Sequence, residues 1–229
     1  YFDNNGKIYY IRPHKFGLKG KGINVYCPVR DLSSNPWIIT ESEFKAAACL
    51  QYGYPALGLP GIHSFAANNF DRLTDFIEGI PGIDSLVIIF DNEIKNNKAY
   101  KNYKSDVRKQ WDTQWRSFQL CDKLYKALPG LRSVRVGTLP DDWMEEGKID
   151  IDGALADGKS KSQFKAVVYS AKTSTQYLQA LPSTAKQIIS RRIYRDKMKA
   201  TIPIERDDNR YVVKKKGKAH GDNEPEMHY

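Results

Sequence analysis

Five consecutive large apolar residues, Leu86-Val87-Ile88-Ile89-Phe90, constrain this 229-residue chain more than any other feature. The run has strand length and falls well short of the roughly 20 residues that a transmembrane helix needs. A strand that is apolar on both faces must be covered on both, as the central strands of a parallel sheet are. The neighbouring segments supply the cover. Trp37-Ile38-Ile39-Thr40 reads as a short buried strand. Ser42 to Tyr52 places Phe44, Ala47, Ala48 and Leu50 at helical spacing, and Gly53 stops that helix. Ala56-Leu57-Gly58-Leu59 is a second strand, closed by Pro60-Gly61. Asn69 to Glu78 is a second helix, with Phe70, Leu73, Phe76 and Ile77 on one face. Lys98 to Ala127 contains a long helix whose stripe is Trp111, Trp115, Phe118 and Leu124, and Val134 to Leu139 is a fourth strand. Strand and helix alternate throughout, which is the pattern of βαβ units around a mostly parallel, four-stranded sheet in an α/β domain.

The flanks differ from this core. Residues 1–36 read as a small β lead-in, with Lys7 to Arg12 and Gly22 to Tyr26 as its strands. After Pro140, the acids Asp141, Asp142, Glu145, Glu146, Asp150, Asp152 and Asp157 form a loop. Residues 164–200 are mostly helical, with a break near Pro182. The resulting division is 1–36, 37–160, and a helical, basic extension over 161–229 that ends in a disordered tail. The net charge is +9 and the pI near 9.3, which suits a polyanionic partner. Eleven Lys or Arg against four acids within residues 191–218 hold seven of those nine charges. Arg191, Arg192, Arg195, Lys214, Lys215, Lys216 and Lys218 are therefore candidate phosphate contacts, with a merely solvated linker as the equal alternative. The cysteines Cys27, Cys49 and Cys121 are odd in number and far apart, which argues against a disulfide scaffold or a Cys-rich zinc site and fits a reducing cytoplasm. The chain begins without Met or a signal peptide and reads as an internal or trimmed piece. An ordinary small-molecule α/β enzyme would need a phosphate loop, and no GxGxxG or Walker motif supports one.

Carboxylates recur where strands end. Glu41 follows the first strand, Asp91 and Glu93 follow the third, and Asp150 and Asp152 come shortly after the fourth. In an open parallel sheet those ends line one crevice, where ligands bind. Acids gathered there raise one another's pKa unless a cation sits among them, and hard oxygen ligands suit Mg²⁺ or Mn²⁺. Simpler readings stand beside this one. Glu41 could complement a helix dipole, and Asp91-Asn92-Glu93 could be an ordinary turn. Asp150 and Asp152 could equally be a surface loop. Lys45 could be solvated, could neutralise the acids or meet a phosphate, or could pair with Glu41 four positions earlier. A lone His63 beside the Pro60-Gly61 turn is better explained as structural than as catalytic. Trp111 and Trp115 fit core packing better than base stacking.

These residues resemble a family. Ile38-Ile39-Thr40-Glu41-Ser42-Glu43-Phe44-Lys45-Ala46 looks like the first TOPRIM motif, a hydrophobic strand followed by Glu-Gly. Ile88-Ile89-Phe90-Asp91-Asn92-Glu93 looks like the second, a strand followed by Asp-x-Asp. Gly58-Leu59-Pro60-Gly61 and Lys148-Ile149-Asp150-Ile151-Asp152 are similar to later pieces of the TOPRIM-like domains in plasmid, phage and integrative-element primase–helicase proteins. The resemblance covers roughly residues 37–156. It implies a TOPRIM-like (Rossmann-like) fold and Mg²⁺ or Mn²⁺ held by Glu41, Asp91 and Glu93, with Asp150 and Asp152 as further candidates. It gives Glu41 an acid/base or metal-linked role, with Lys45 beside it. It also implies single-stranded DNA or a primer–template, nucleotides and a helicase domain or subunit as partners, with no membrane. Two departures stand out: Ser42 replaces the Gly that allows a tight turn, and Glu93 replaces the second Asp. A primase, a nuclease and a non-catalytic DNA-binding or recruitment module all remain open.

Overall fold

The computed structural model describes residues 25–28, 35–65, 68–93, 112–144, 148–201, 204–207 and 210–213. The expected strand at Lys7 to Arg12, Trp111 and the cluster Lys214, Lys215, Lys216 and Lys218 lie outside the described residues. The chain divides into two compact units, 1–186 and 187–229.

The first unit holds a four-stranded, all-parallel sheet. Its strands are β1 (Trp37–Glu41), β2 (Ala56–Leu59), β3 (Ser85–Ile88) and β4 (Ser133–Val136), in the order β2-β1-β3-β4. Ile38 pairs with Ala56 on one side and Val87 on the other, and Leu86 pairs with Val134. The helices are α1 (Glu43–Gln51), α2 (Asn68–Glu78), α3 (Asp112–Ala127), α4 (Ile151–Ala156), α5 (Lys161–Tyr169) and α6 (Ser174–Ala180); α7 (Ser183–Thr201) crosses into the second unit. There, β5 (Ile204–Asp207) and β6 (Arg210–Val213) form an antiparallel pair.

Alternation along the strands sends their side chains to two faces. Ile38, Ala56, Val87 and Ile89 share one core with Ala46 and Cys49 of α1, Ile151 and Ala154 of α4, and Phe164, Val167 and Val168 of α5. Phe164 stacks on Tyr52 with ring centroids 4.2 Å apart. Trp37, Ile39, Leu86 and Ile88 alternate to the other face, where α3 packs against β3 and β4. Leu73 and Ile77 of α2 and Leu120 and Leu124 of α3 are fully or nearly fully buried. Lys123 of α3 lies 5.2 Å from the Phe70 ring of α2, which makes these helices neighbours. Both sheet edges are closed by single antiparallel bridges, Tyr26 to Gly58 beside β2 and Lys172 to Val136 beside β4.

Two details depart from the expected pattern. Helix α1 is rotated: Phe44 is 58% exposed, while Lys45, Ala46 and Cys49 are buried. The cause is polar, since Lys45 turns inward to meet carboxylates. The helical stretch after residue 160 breaks at 170–173 as well as near Pro182, because Ser160 and Thr173 each build a capping box that starts a new helix.

Candidate active site at the carboxyl ends of the strands

Strand β1 lies inside the sheet. The chain leaves it for β2 on one side and later reaches β3 on the other. The crevice between the carboxyl ends of β1 and β3 is therefore the topological switch point. Glu41 ends β1, and Asp91 stands three residues past the end of β3.

The turn after β1 aims the first part of the site. Ser42 takes φ +70° and ψ 156°, a region almost reserved for glycine. A serine is thus held in a glycine-like backbone conformation at this turn. Ser42 also caps α1, and its hydroxyl faces the Lys45 N–H at 3.5 Å. Across the turn, a Cβ on Gly58 would come within 2.5 Å of the Ser42 carbonyl oxygen, so β2 approaches this closely only because it carries glycine there.

Lys45, in the first turn of α1, binds both acids. Its ammonium donates to Glu41 Oε1 at 3.2 Å and to Asp91 Oδ1. The other oxygen of Asp91, Oδ2, receives Lys148 Nζ at 2.8 Å, and Lys148 stands 3.7 Å from Asp150 Oδ2. Lys148 arrives there because the backbones of Asn92 and Ile149 exchange two hydrogen bonds, at 2.9 and 3.0 Å. The Asn92 side chain fixes the junction further, donating to the Leu139 carbonyl at 2.6 Å and to Asp141 Oδ1 at 2.8 Å. Asp150 caps α4 and accepts the Gly153 N–H at 2.9 Å through Oδ1. Asp152 Oδ1 is buried without a hydrogen-bond partner.

The two central acids are driven apart electrostatically. Burial pushes the Glu41 carboxyl up to about 7, and the neighbouring charge of Asp91 adds to the rise. Burial opposes ionisation of Asp91 too, but a hydrogen bond from Glu41 and the ammonium groups of Lys45 and Lys148 outweigh it and hold Asp91 below the usual carboxylate range. Burial alone would lower the pKa values of Lys45 and Lys148. The facing carboxylates reverse this and keep both lysines charged. Asp152 is raised by burial and by the charge of Asp150.

Of the residues singled out in the sequence, the structure brings together Glu41, Lys45, Asp91 and Asp150. Asp152 is close enough to feel Asp150 and Lys45. Glu93 is turned toward α3 and accepts the Thr113 hydroxyl at 3.2 Å, while its charge still reaches Lys148. His63 is exposed on its turn. Arg191, Arg192 and Arg195 lie on α7, with Arg191 and Arg195 exposed. Lys148 and Asn92 are site residues to which the sequence by itself assigns no role. The Lys-x-Asp-x-Asp spacing contained the signal for Lys148. Asn92 carried none beyond a residue type common in turns.

The donor set fits a hard divalent cation in its chemistry: every acid offers oxygen, and Asp152 Oδ1 is orphaned. Among the described residues, no three acidic, His or Cys side chains gather about one point. The ammonium groups of Lys45 and Lys148 stand between the carboxylates instead.

The model of a domain family of unknown function, DUF3854, matches residues 26–115, less than half of the chain. That stretch contains β1, β2 and β3 with Glu41, Lys45, Asp91 and Glu93, and stops before Lys148. No curated protein and no solved structure matches the chain.

Proposed function

We propose that this chain carries a TOPRIM-like phosphoryl-transfer site for nucleic acid and works as the DNA primase domain of a mobile-element replication protein. One observation carries the reading: Glu41 and Asp91, from separate strand ends at the switch point, meet on one buried lysine with opposite protonation tendencies. Two carboxyl groups whose environments push their pKa values apart suit an acid/base member and a permanently charged member. Glu41, raised to about 7, can hold or release a proton near neutrality. Asp91 stays ionised and offers oxygen to a cation, with Asp150, Asp152 and Glu93 behind it. A bound Mg²⁺ or Mn²⁺ would position a nucleotide phosphate and offset the charge that develops on it. Lys45 holds Glu41 and Asp91 in register. Arg191, Arg192 and Arg195 on α7, with Lys214, Lys215, Lys216 and Lys218 beyond, would track the phosphates of single-stranded DNA or a primer–template. A helicase domain or subunit and nucleotides complete the set of partners.

The test is nucleotide incorporation and strand cleavage on single-stranded DNA with Mg²⁺ or Mn²⁺, wild type beside Glu41→Gln. The expected result is primer synthesis that falls by about 10²–10⁴-fold in the variant, the range of a lost acid/base group. Cleavage in place of synthesis would assign the same acids to a nuclease. DNA binding without either activity, unaffected by metal and by Glu41→Gln, would replace the reading with a recruitment module.

A further inference from the structure

Two lysines serve the acid cluster, and they are not equivalent. Lys45 comes from a helix, is 8% exposed and contacts both Glu41 and Asp91. Removing its ammonium would strand two enclosed carboxylates, a costly outcome. Lys148 comes from the short segment that bridges to Asn92, and its side chain is 49% exposed. Its ammonium can turn to water, and its stem can remain along the protein surface. Leaving would break one 2.8 Å contact and one 3.7 Å contact.

What Lys148 covers matters as much as how it is held. Asp91 Oδ1 is engaged by Lys45, and Oδ2 is the oxygen that receives Lys148. Asp150 Oδ1 is committed to the Gly153 N–H of its cap, and Oδ2 is the oxygen turned to Lys148. Asp152, whose Oδ1 lacks a hydrogen-bond partner, is coupled to Asp150. Asp91 Oδ2 and Asp150 Oδ2 thus share Lys148 as a neighbour, a displaceable positive charge.

Resting on the phosphoryl-transfer reading above, we infer that Lys148 is the resident counter-ion of the metal position: it holds Asp91 Oδ2 and Asp150 Oδ2 until a divalent cation replaces it, and its freed ammonium then faces the incoming phosphate. An ammonium and a divalent cation cannot share the same oxygen pair at contact distance, because their repulsion there is large. Cation binding and release of Lys148 are therefore one event. A positive charge parked on the acids also prevents their mutual repulsion from opening the site while it waits.

The experiment measures Mn²⁺ binding directly, by the loss of the free-ion electron paramagnetic resonance signal, at fixed pH and ionic strength. The full chain is compared as wild type, Lys148→Gln, Lys148→Arg and Asp91→Asn, with circular dichroism melting to verify that each is folded. Lys148→Gln removes the competing charge, and its Mn²⁺ affinity should rise about tenfold. Lys148→Arg keeps the charge and should stay near wild type, and Asp91→Asn should lose binding. In parallel, a nucleoside triphosphate titrated at saturating Mn²⁺ should bind Lys148→Gln about tenfold more weakly, with Lys148→Arg restoring most of the loss. Wild-type binding with Lys148→Gln unchanged or weaker toward Mn²⁺ would overturn the inference and leave the phosphoryl-transfer reading standing. Mn²⁺ binding by Lys148→Gln but not by wild type would support Lys148 as the occupant and overturn the metal-dependent reading of the natural chain. Binding by neither would overturn both.

Discussion

Glu41 is the residue whose environment has the plainest consequence for stability. In the unfolded chain it titrates near its ordinary value of 4.5; in the fold the carboxyl is raised to about 7. Between those values the folded state binds the proton more tightly, so this residue's contribution is complete below about 4.5 and is lost as pH rises through about 7. Asp91 has the opposite sign: its depressed pKa contributes stability above the ordinary 3.8, and that contribution disappears as pH falls below this value. Glu41→Gln keeps a neutral group at every pH. Its melting temperature should match wild type near pH 5 and exceed it near pH 8.5 by roughly 3–10 °C, taking a raised carboxyl as worth of order 2–3 kcal/mol. An offset that is the same at both pH values would show that Glu41 is not the group responsible. At this scale the sequence was half legible. The pairing of Glu41 with Lys45 was open to their spacing of four, although Glu41 ends β1 and reaches Lys45 across the Ser42 turn rather than along one helix. The second bond, to Asp91, joins residues 46 positions apart and has no local signature.

The elements explain why serine can occupy a turn position whose backbone favours glycine. The turn from β1 into α1 requires positive φ, and Ser42 accepts it while supplying a cap. Holding a non-glycine residue there costs of order 1–3 kcal/mol. Replacing a serine cap by glycine costs only a few tenths of a kcal/mol, and glycine's unfolded-state entropy about 0.5–1 kcal/mol. Ser42→Gly should therefore stabilise the fold by about 1 kcal/mol, raising the melting temperature by about 2–4 °C. A fall in a differential scanning calorimetry run would mean that the cap outweighs the strain. The strand and helix elements themselves were readable because β1, β2 and β3 are apolar runs bounded by Gly, Pro or polar turns. The face of α1 was not. Hydrophobicity alone turns Phe44 inward, whereas two carboxylates from other segments bury Lys45 and leave Phe44 in solvent. Composition likewise makes the acidic stretch after Pro140 a loop, although Asp150 caps α4, whose Ile151 and Ala154 enter the core beside Phe164.

At the scale of the whole molecule, charge is distributed unevenly, with the acid cluster at the sheet edge of the first unit and an arginine group on α7. If α7 contacts phosphates, each arginine removed should release its share of counterions. The triple change of Arg191, Arg192 and Arg195 to Gln should lower the slope of log affinity against log salt by about 2 for single-stranded DNA, at about 0.7 per phosphate contact. Fluorescence anisotropy over a salt series measures this, and an unchanged slope would remove α7 from the interface. Among the described residues no helix is long and apolar enough to cross a membrane. The sequence by itself determined the α/β class and the positions of the strand-end acids, because apolar periodicity and turn residues act over a few positions. Only the tertiary structure decided which acids meet. The order β2-β1-β3-β4 sets Glu41 beside Asp91, and the Asn92–Ile149 bridge delivers Lys148. Both depend on pairings between distant segments, whose energy comes from burying the sheet and which no local pattern encodes.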